Sequence, residues 1–210
     1  MSNIQQLVKL LKEVEGDKIH YNKGEKDITS AYGIYRYSQP DAKIFTYIDA
    51  IAKGLGIPKP SKDWNKEEIE KVNSNIDKEK EFDLAVDFYK SFSPLDLDQL
   101  GLELAYAYFN IYTNTPKGAN IAMQAMINSY IKNHKLNYKI LDEDGILGPK
   151  SKNLIYDVVK RYRDRELKLA FLVFANDNYI KLVVNNPDKY LQYLKGWDQR
   201  VNNLVKDIGS

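Results

Sequence analysis

Glu15 is followed at once by Gly16, and Glu25, Asp27, Thr29, Ser30, Tyr32 and Gly33 come soon after. Before them Ile4, Leu7, Val8, Leu10, Leu11 and Val14 recur at helical spacing, with Ser2 and Asn3 available as caps. Gly16 stands where a C-terminal glycine ends a helix, which puts Glu15 in the last turn. The helix dipole carries partial negative charge there, so ionising a carboxyl is disfavoured and its pKa rises. A carboxylic acid held protonated near neutral pH is what general acid catalysis needs. The alternative is a solvated helix end. A second carboxyl group, or a water held by hydroxyls, would complete an acid-assisted hydrolysis. Asp27 and Glu25 are candidates for the carboxyl, and Thr29 and Ser30 for holding the water; for the two acids the alternative is a solvated turn.

These residues have to be positioned by what surrounds them. Ile19, Tyr21, Ile28, Tyr32, Ile34, Tyr35 and Tyr37 favour strands, and residues 22–27 have turn composition, which predicts a small β-hairpin after the first helix. The remainder reads as helix. Asp41 is a candidate cap for a helix carrying Ile44, Phe45, Ile48, Ile51 and Leu55, which Gly56 and Pro58 stop. Asn65 opens a long polar-rich helix running through Ile69, Val72, Ile76, Phe82, Val86 and Tyr89. Ser93-Pro94 opens the next, with proline at its first position, through Leu97, Leu100, Leu104 and Tyr108. Further helices are predicted over Ala119 to Ile131, from Pro149, over about 163–184 and over about 188–207, the last two parted by Asn185-Asn186-Pro187. Asp142-Glu143-Asp144-Gly145 reads as a turn.

Composition excludes several classes. The 210 residues can hold one domain with a sizeable core, or two small ones. Charged residues are 29% and net charge is +2, with Lys and Glu interleaved, so there is no footprint for nucleic acid. A slight positive balance suits an anionic wall polymer. The absence of cysteine excludes disulfides and thiol catalysis. His20 and His134 are too few for a metal site or a Ser-His triad, and no phosphate-binding glycine loop is present, so no metal and no cofactor are expected. No apolar run is long enough to span a membrane. Met1 to Gln6 lacks the basic start and apolar core of a secretory signal, which predicts synthesis in the cytoplasm without a signal peptide.

Four segments carry a resemblance. They are Glu15-Gly16 with Thr29, Tyr32, Gly33 and Ile34; Asn114, Pro116, Ala119 and Gln124; Asp144-Gly145-Ile146-Leu147-Gly148-Pro149-Lys150-Ser151; and Gly196-Trp197-Asp198-Gln199-Arg200-Val201. In this order and spacing the chain resembles glycoside hydrolase family 108, the N-acetylmuramidase type of lysozyme found in phages and bacterial secretion loci. The match departs from the family at Asp17, where a second glycine is usual, at Lys23-Gly24-Glu25-Lys26 in place of Asp-Pro-Gly-Gly, and at Ser151 for threonine.

The resemblance implies a mainly α, lysozyme-like α+β fold over residues 1–210 as a single domain. Its catalytic segment would span about 1–112, and a helical, peptidoglycan-binding-like segment about 113–210 would complete the core. It implies a peptidoglycan hydrolase acting on the bond between N-acetylmuramic acid and N-acetylglucosamine. Glu15 is then the general acid, and Asp27 or Glu25, with Thr29 and Ser30, the second group. Tyr32, Tyr35, Tyr112 and Asn114 are the expected glycan contacts, since flat aromatic faces and hydroxyls suit sugar rings. Most of the 16 tyrosines, by contrast, read as half-buried core residues, and Trp197 as a core anchor. The partner implied is the peptidoglycan glycan strand, reached at the cell wall on release or dedicated export, with the protein acting as a monomer. A lytic transglycosylase and a catalytically weak wall-binding or assembly component are the rival readings.

Overall fold

The computed structural model describes residues 1–16, 18–21 and 25–206, without the side chains of Val14 and Glu15. Among the described residues the regular structure is mainly helical, as expected. The chain forms two compact units, Met1–Phe92 and Ser93–Ser210. The division falls ahead of the boundary near residue 112 read from the sequence, because the helix before Tyr112 packs with the helices that follow it.

The first unit is built on α1 (Asn3–Glu15), α2 (Lys43–Gly54), α3 (Lys66–Asn73) and α4 (Lys78–Phe92). Ser2 caps α1 in a reciprocal box with Gln5, and Asn65 does the same for α3 with Glu68. Ile4, Leu7 and Val8 of α1 are buried, α1 packs on α4, and α4 buries Ala85, Val86 and Tyr89. Ile44, Phe45 and Ile48 of α2 complete this core, and burying each such side chain is worth about 1.5–3 kcal/mol.

Local chemistry corrects three expectations here. The long helix opened by Asn65 is two helices: Asn73, Ser74 and Asn75 end the first, and Asp77 starts the second by accepting from the amides of Glu79 (3.0 Å) and Lys80 (3.1 Å). Asp41 does not cap α2, whose N-cap position is Ala42 with no side-chain bond. The hairpin is absent as a pair of strands among the described residues. Single antiparallel bridges join His20 to Thr29 and Thr29 to Tyr35. Ile28 through Tyr32 are consecutively buried, whereas a half-exposed strand would alternate. The chain curls instead into a turn, with Gly33 Nα donating to the Ser30 carbonyl (3.1 Å) and Gly33 at φ 72°.

The second unit comprises α5 (Leu102–Tyr112), α6 (Pro116–Asn133), α7 (Pro149–Val159), α8 (Asp164–Asn185) and α9 (Pro187–Val205). Helix α8 packs against α5, α6 and α9, and α7 packs on α6. Ser93-Pro94 does not begin a helix, which is a further correction. The Ser93 hydroxyl closes a local turn on Leu95, and Asp96 caps a 3₁₀ turn at Leu97–Gln99. Helix α5 starts later, at Leu102 with Gly101 as its N-cap, and its free amides are met from far along the chain: the Asp164 carboxylate accepts from Glu103 (2.7 Å) and Leu104 (3.0 Å). A Cβ on Gly101 would lie 2.1 Å from that carboxylate, so the close approach demands glycine.

Candidate active site

Helix α1 ends at Glu15, and Gly16 follows at φ 98° with its amide bonded to the Lys12 carbonyl (2.9 Å). The expected position of Glu15 in the last turn is therefore met by the backbone. Its side chain lies outside the described residues, as do Asp17 and the loop residues Asn22, Lys23 and Gly24.

The chain beyond α1 is pinned at successive points by partners distant in sequence. The Asn73 side chain takes both backbone groups of Ile19: its Oδ1 accepts from Ile19 Nα (2.8 Å) and its Nδ2 donates to Ile19 O (3.0 Å). His20 and Thr29 exchange two backbone hydrogen bonds, of 3.1 and 2.8 Å. The Tyr21 hydroxyl donates to the Ser61 carbonyl. Burial, with the nearby Asp27 charge adding to it, raises the Tyr21 pKa.

Asp27 lies inside this network. Its Oδ1 accepts from the Ser61 hydroxyl (2.6 Å) and from the Ile28 amide (2.8 Å), and its Oδ2 lies 4.0 Å from Arg36 Nε. Arg36 is itself held by a two-pronged bond to Asp49, at 2.6 and 2.5 Å, and this partner raises its already high pKa. Glu25 is bound differently: its Oε2 accepts from the Thr29 hydroxyl at 3.0 Å. Glu25 and Asp27 thus sit at opposite ends of one short segment, the first held by a hydroxyl and the second tied into a structural cluster.

Two expected roles are corrected by burial. The Ser30 oxygen accepts from the amides of Tyr32 (3.3 Å) and Ile34 (3.2 Å) and is fully buried, so it shapes the turn and cannot hold a catalytic water. Tyr32 is 1% exposed and packs against Phe82, with ring centroids 6.1 Å apart, and its carbonyl accepts from the Tyr89 hydroxyl (2.7 Å). Desolvation pushes its phenol up to about 12. Its ring belongs to the core and offers no face to a sugar. Thr29 is nearly as buried, and its hydroxyl is committed to Glu25.

Tyr35 remains available in part. It is half-buried, its hydroxyl accepts from the Lys26 amide (2.8 Å), and its ring lies 6.0 Å from that of the exposed Tyr37. Tyr112 and Asn114 belong to the second unit. There Tyr112 stacks on Tyr108 at 5.5 Å, and the exposed Asn114 donates to the Asn110 carbonyl (3.0 Å), finishing the α5 turn. A cleft of about 650 Å³ in the first unit is lined by Ser38, Gln39, Asp41, Asp87 and Phe88 and by none of the residues named for catalysis.

Two of the four resembling segments meet in the second unit. Gln124 Oε1 accepts from the Gly145 amide (2.8 Å), and its Nε2 donates to Asp144 Oδ1 (3.1 Å) and the Ile146 carbonyl (3.1 Å). Gly145 sits at φ 81°, and a Cβ there would come 2.7 Å from Lys117 Cγ. These residues clamp a turn onto α6. In the last segment, Trp197 is half-buried and stacks on the buried Tyr179 at 4.5 Å.

Sequence reasoning passed over Glu81. This α4 carboxyl is fully buried, with Lys78 Nζ 3.1 Å away, and desolvation raises its pKa above the usual 4.5. Its apolar surroundings at one turn of α4 from Ala85 are the signal that could have marked it. A raised folded pKa means that the native state binds this proton more tightly than the unfolded chain does. That stabilisation is complete below pH 4.5 and is lost as pH rises through the folded value. Glu81→Gln is therefore expected to raise the melting temperature at about pH 7 and to confer no gain at about pH 4. A lower melting temperature at neutral pH would mean that the Lys78 pair outweighs desolvation.

Comparison with known proteins found no matching family model and no matching curated protein.

Proposed function

We propose that this protein is a peptidoglycan hydrolase that cleaves the β-1,4 bond between N-acetylmuramic acid and N-acetylglucosamine, with Glu15 as general acid. The observation that carries the reading is the position of Glu15 as the last residue of α1, ahead of a positive-φ glycine, in a segment whose continuation is pinned to Thr29. The four ordered sequence segments support it independently.

In this mechanism Glu15 protonates the departing glycosidic oxygen, helped by the partial negative charge at the helix end. Glu25, oriented by the Thr29 hydroxyl, is the second carboxylate. It stabilises the oxocarbenium-like transition state or draws a proton from the attacking water. Asp27 serves the site indirectly, by holding the chain against Ser61 and Arg36. The Thr29 contact supports Glu25 in this role over Asp27.

The product distinguishes this reaction from its rivals. Mass spectrometry of digested peptidoglycan is expected to show hydrated muropeptides with reducing N-acetylmuramic ends. Predominantly anhydro-muramic ends would make the protein a lytic transglycosylase. Intact glycans that still pellet the protein would make it a wall-binding component, a reading favoured by the engagement of Thr29, Ser30 and Asp27 within the fold.

A further inference from the structure

Tyr37 is 58% exposed, the most open aromatic side chain of the first unit among the described residues. It is nevertheless held in place. Its hydroxyl accepts from Lys26 Nζ at 3.3 Å, and the same ammonium lies 4.7 Å from the centroid of its ring. The ring of Tyr35 lies 6.0 Å away, and the Tyr35 hydroxyl accepts from the Lys26 amide at 2.8 Å. Lys26 therefore ties both tyrosines to its own short stretch of chain. Glu25 precedes it in that stretch, and Thr29, whose hydroxyl orients Glu25, is bridged to Tyr35. Two rings and one ammonium are in this way fixed beside the second carboxylate of the proposed site.

The groups have complementary uses. An exposed phenol offers a flat apolar face and a hydroxyl, which suit a pyranose ring. The Lys26 ammonium has three donors, of which Tyr37 takes one, and no carboxylate pairs with it among the described residues. A neutral glycan of N-acetylglucosamine would use the ring and leave the ammonium idle. A muramic sugar supplies both partners, the pyranose for the ring and a carboxylate for the ammonium. That carboxylate is the lactyl group itself or, where the lactyl group is amide-linked, the peptide attached to it.

Resting on the hydrolase reading above, we propose that Tyr37 and Lys26, braced by Tyr35, form a muramyl subsite that selects carboxylate-bearing glycan over neutral glycan. Tyr37 stacks on the sugar, and Lys26 pairs with the carboxylate. The pair acts in recognition and takes no part in bond cleavage. Because the ammonium is exposed, its contribution is modest and falls as salt screens it. The backbone amide of Lys26, and not its side chain, holds Tyr35, so a substitution of the lysine side chain leaves that brace in place.

Isothermal titration calorimetry of the full chain tests this with three probes that lack the bond the proposed reaction cleaves. They are the disaccharide of N-acetylglucosamine and N-acetylmuramic acid, the same disaccharide carrying an alanyl-glutamate dipeptide on its lactyl group, and diacetylchitobiose. At low salt a carboxylate-bearing probe is expected to bind about fivefold more tightly than chitobiose, and the preference to shrink at about 0.5 M salt. Tighter binding of the bare disaccharide assigns the lactyl carboxylate to Lys26, and tighter binding of the dipeptide form assigns the peptide. Lys26→Gln is expected to abolish the preference, and Tyr37→Ala to weaken all three probes about tenfold. Tyr193→Ala, at an exposed tyrosine of α9, is expected to change neither. Failure of every probe to bind, equal affinity for charged and neutral probes, a preference that survives Lys26→Gln, or a Tyr37→Ala protein that binds as wild type would each overturn the proposal. Binding is read here without turnover. A protein that binds in this pattern yet leaves peptidoglycan strands intact therefore overturns the hydrolase reading and keeps the subsite.

Discussion

Glu15→Gln is expected to lower the rate of turbidity loss of purified peptidoglycan by about 10²–10⁴-fold, the usual contribution of a general acid. The melting temperature should barely change, since the substitution keeps the shape of a residue at a helix end and relieves the unfavourable meeting of a carboxylate with the dipole. The same assay separates the two remaining carboxyls. Glu25→Gln should cost activity, because its carboxylate is the second group of the proposed site, and should leave the fold in place, because glutamine can still accept from the Thr29 hydroxyl. Asp27→Asn should instead lower stability, because it weakens the bonds from Ser61 and Ile28 and the approach of Arg36 together. A Glu15→Gln protein that keeps more than about a tenth of the wild-type rate would remove Glu15 from the mechanism.

Glu103→Ala is expected to destabilise the protein by about 3 kcal/mol, toward the lower end for breaking a buried ion pair because Glu103 is partly exposed. Lys168 of α8 is fully buried, its Nζ lies 2.5 Å from Glu103 Oε2, and it donates to the Lys206 carbonyl at 3.2 Å. Removing the carboxylate takes one counter-charge away from a buried ammonium. Lys168→Met is the informative partner. Glu103 is 28% exposed, so water can solvate the carboxylate left behind, and methionine fills the space of the lysine stem. Its cost should be about 1 kcal/mol or less. Urea denaturation of both variants decides the matter. Equal losses would mean that the pair acts through packing and that its charges are not the cause.

Local periodicity and capping chemistry determined much of this protein without tertiary information. The apolar spacing of Ile4, Leu7 and Val8 set α1, and Gly16 ended it. Pro149 begins α7 as read, and Asn186-Pro187 separates α8 from α9. In each case the deciding groups lie within one or two turns of each other, so the sequence contains the whole interaction. The break between α3 and α4 was also local, at Asn73 to Asp77, but a continuous apolar pattern masked it.

Contacts across long stretches of chain decided the rest. The start of α5 depends on Asp164, the course of the chain after α1 on Asn73 and Ser61, and the state of Lys168 on Glu103. The candidate site divides along the same line. Glu15 could be located from sequence because a helix end is a local feature. Tyr32 and Ser30 could not be separated from Tyr35 and Glu25, because strand-favouring and turn-favouring types look the same whether their side chains face the core or a ligand. Only the packing of Phe82 and Tyr89 of α4 against Tyr32, and the curl of the chain around the Ser30 hydroxyl, removed those two from the site and left Glu25 facing Thr29.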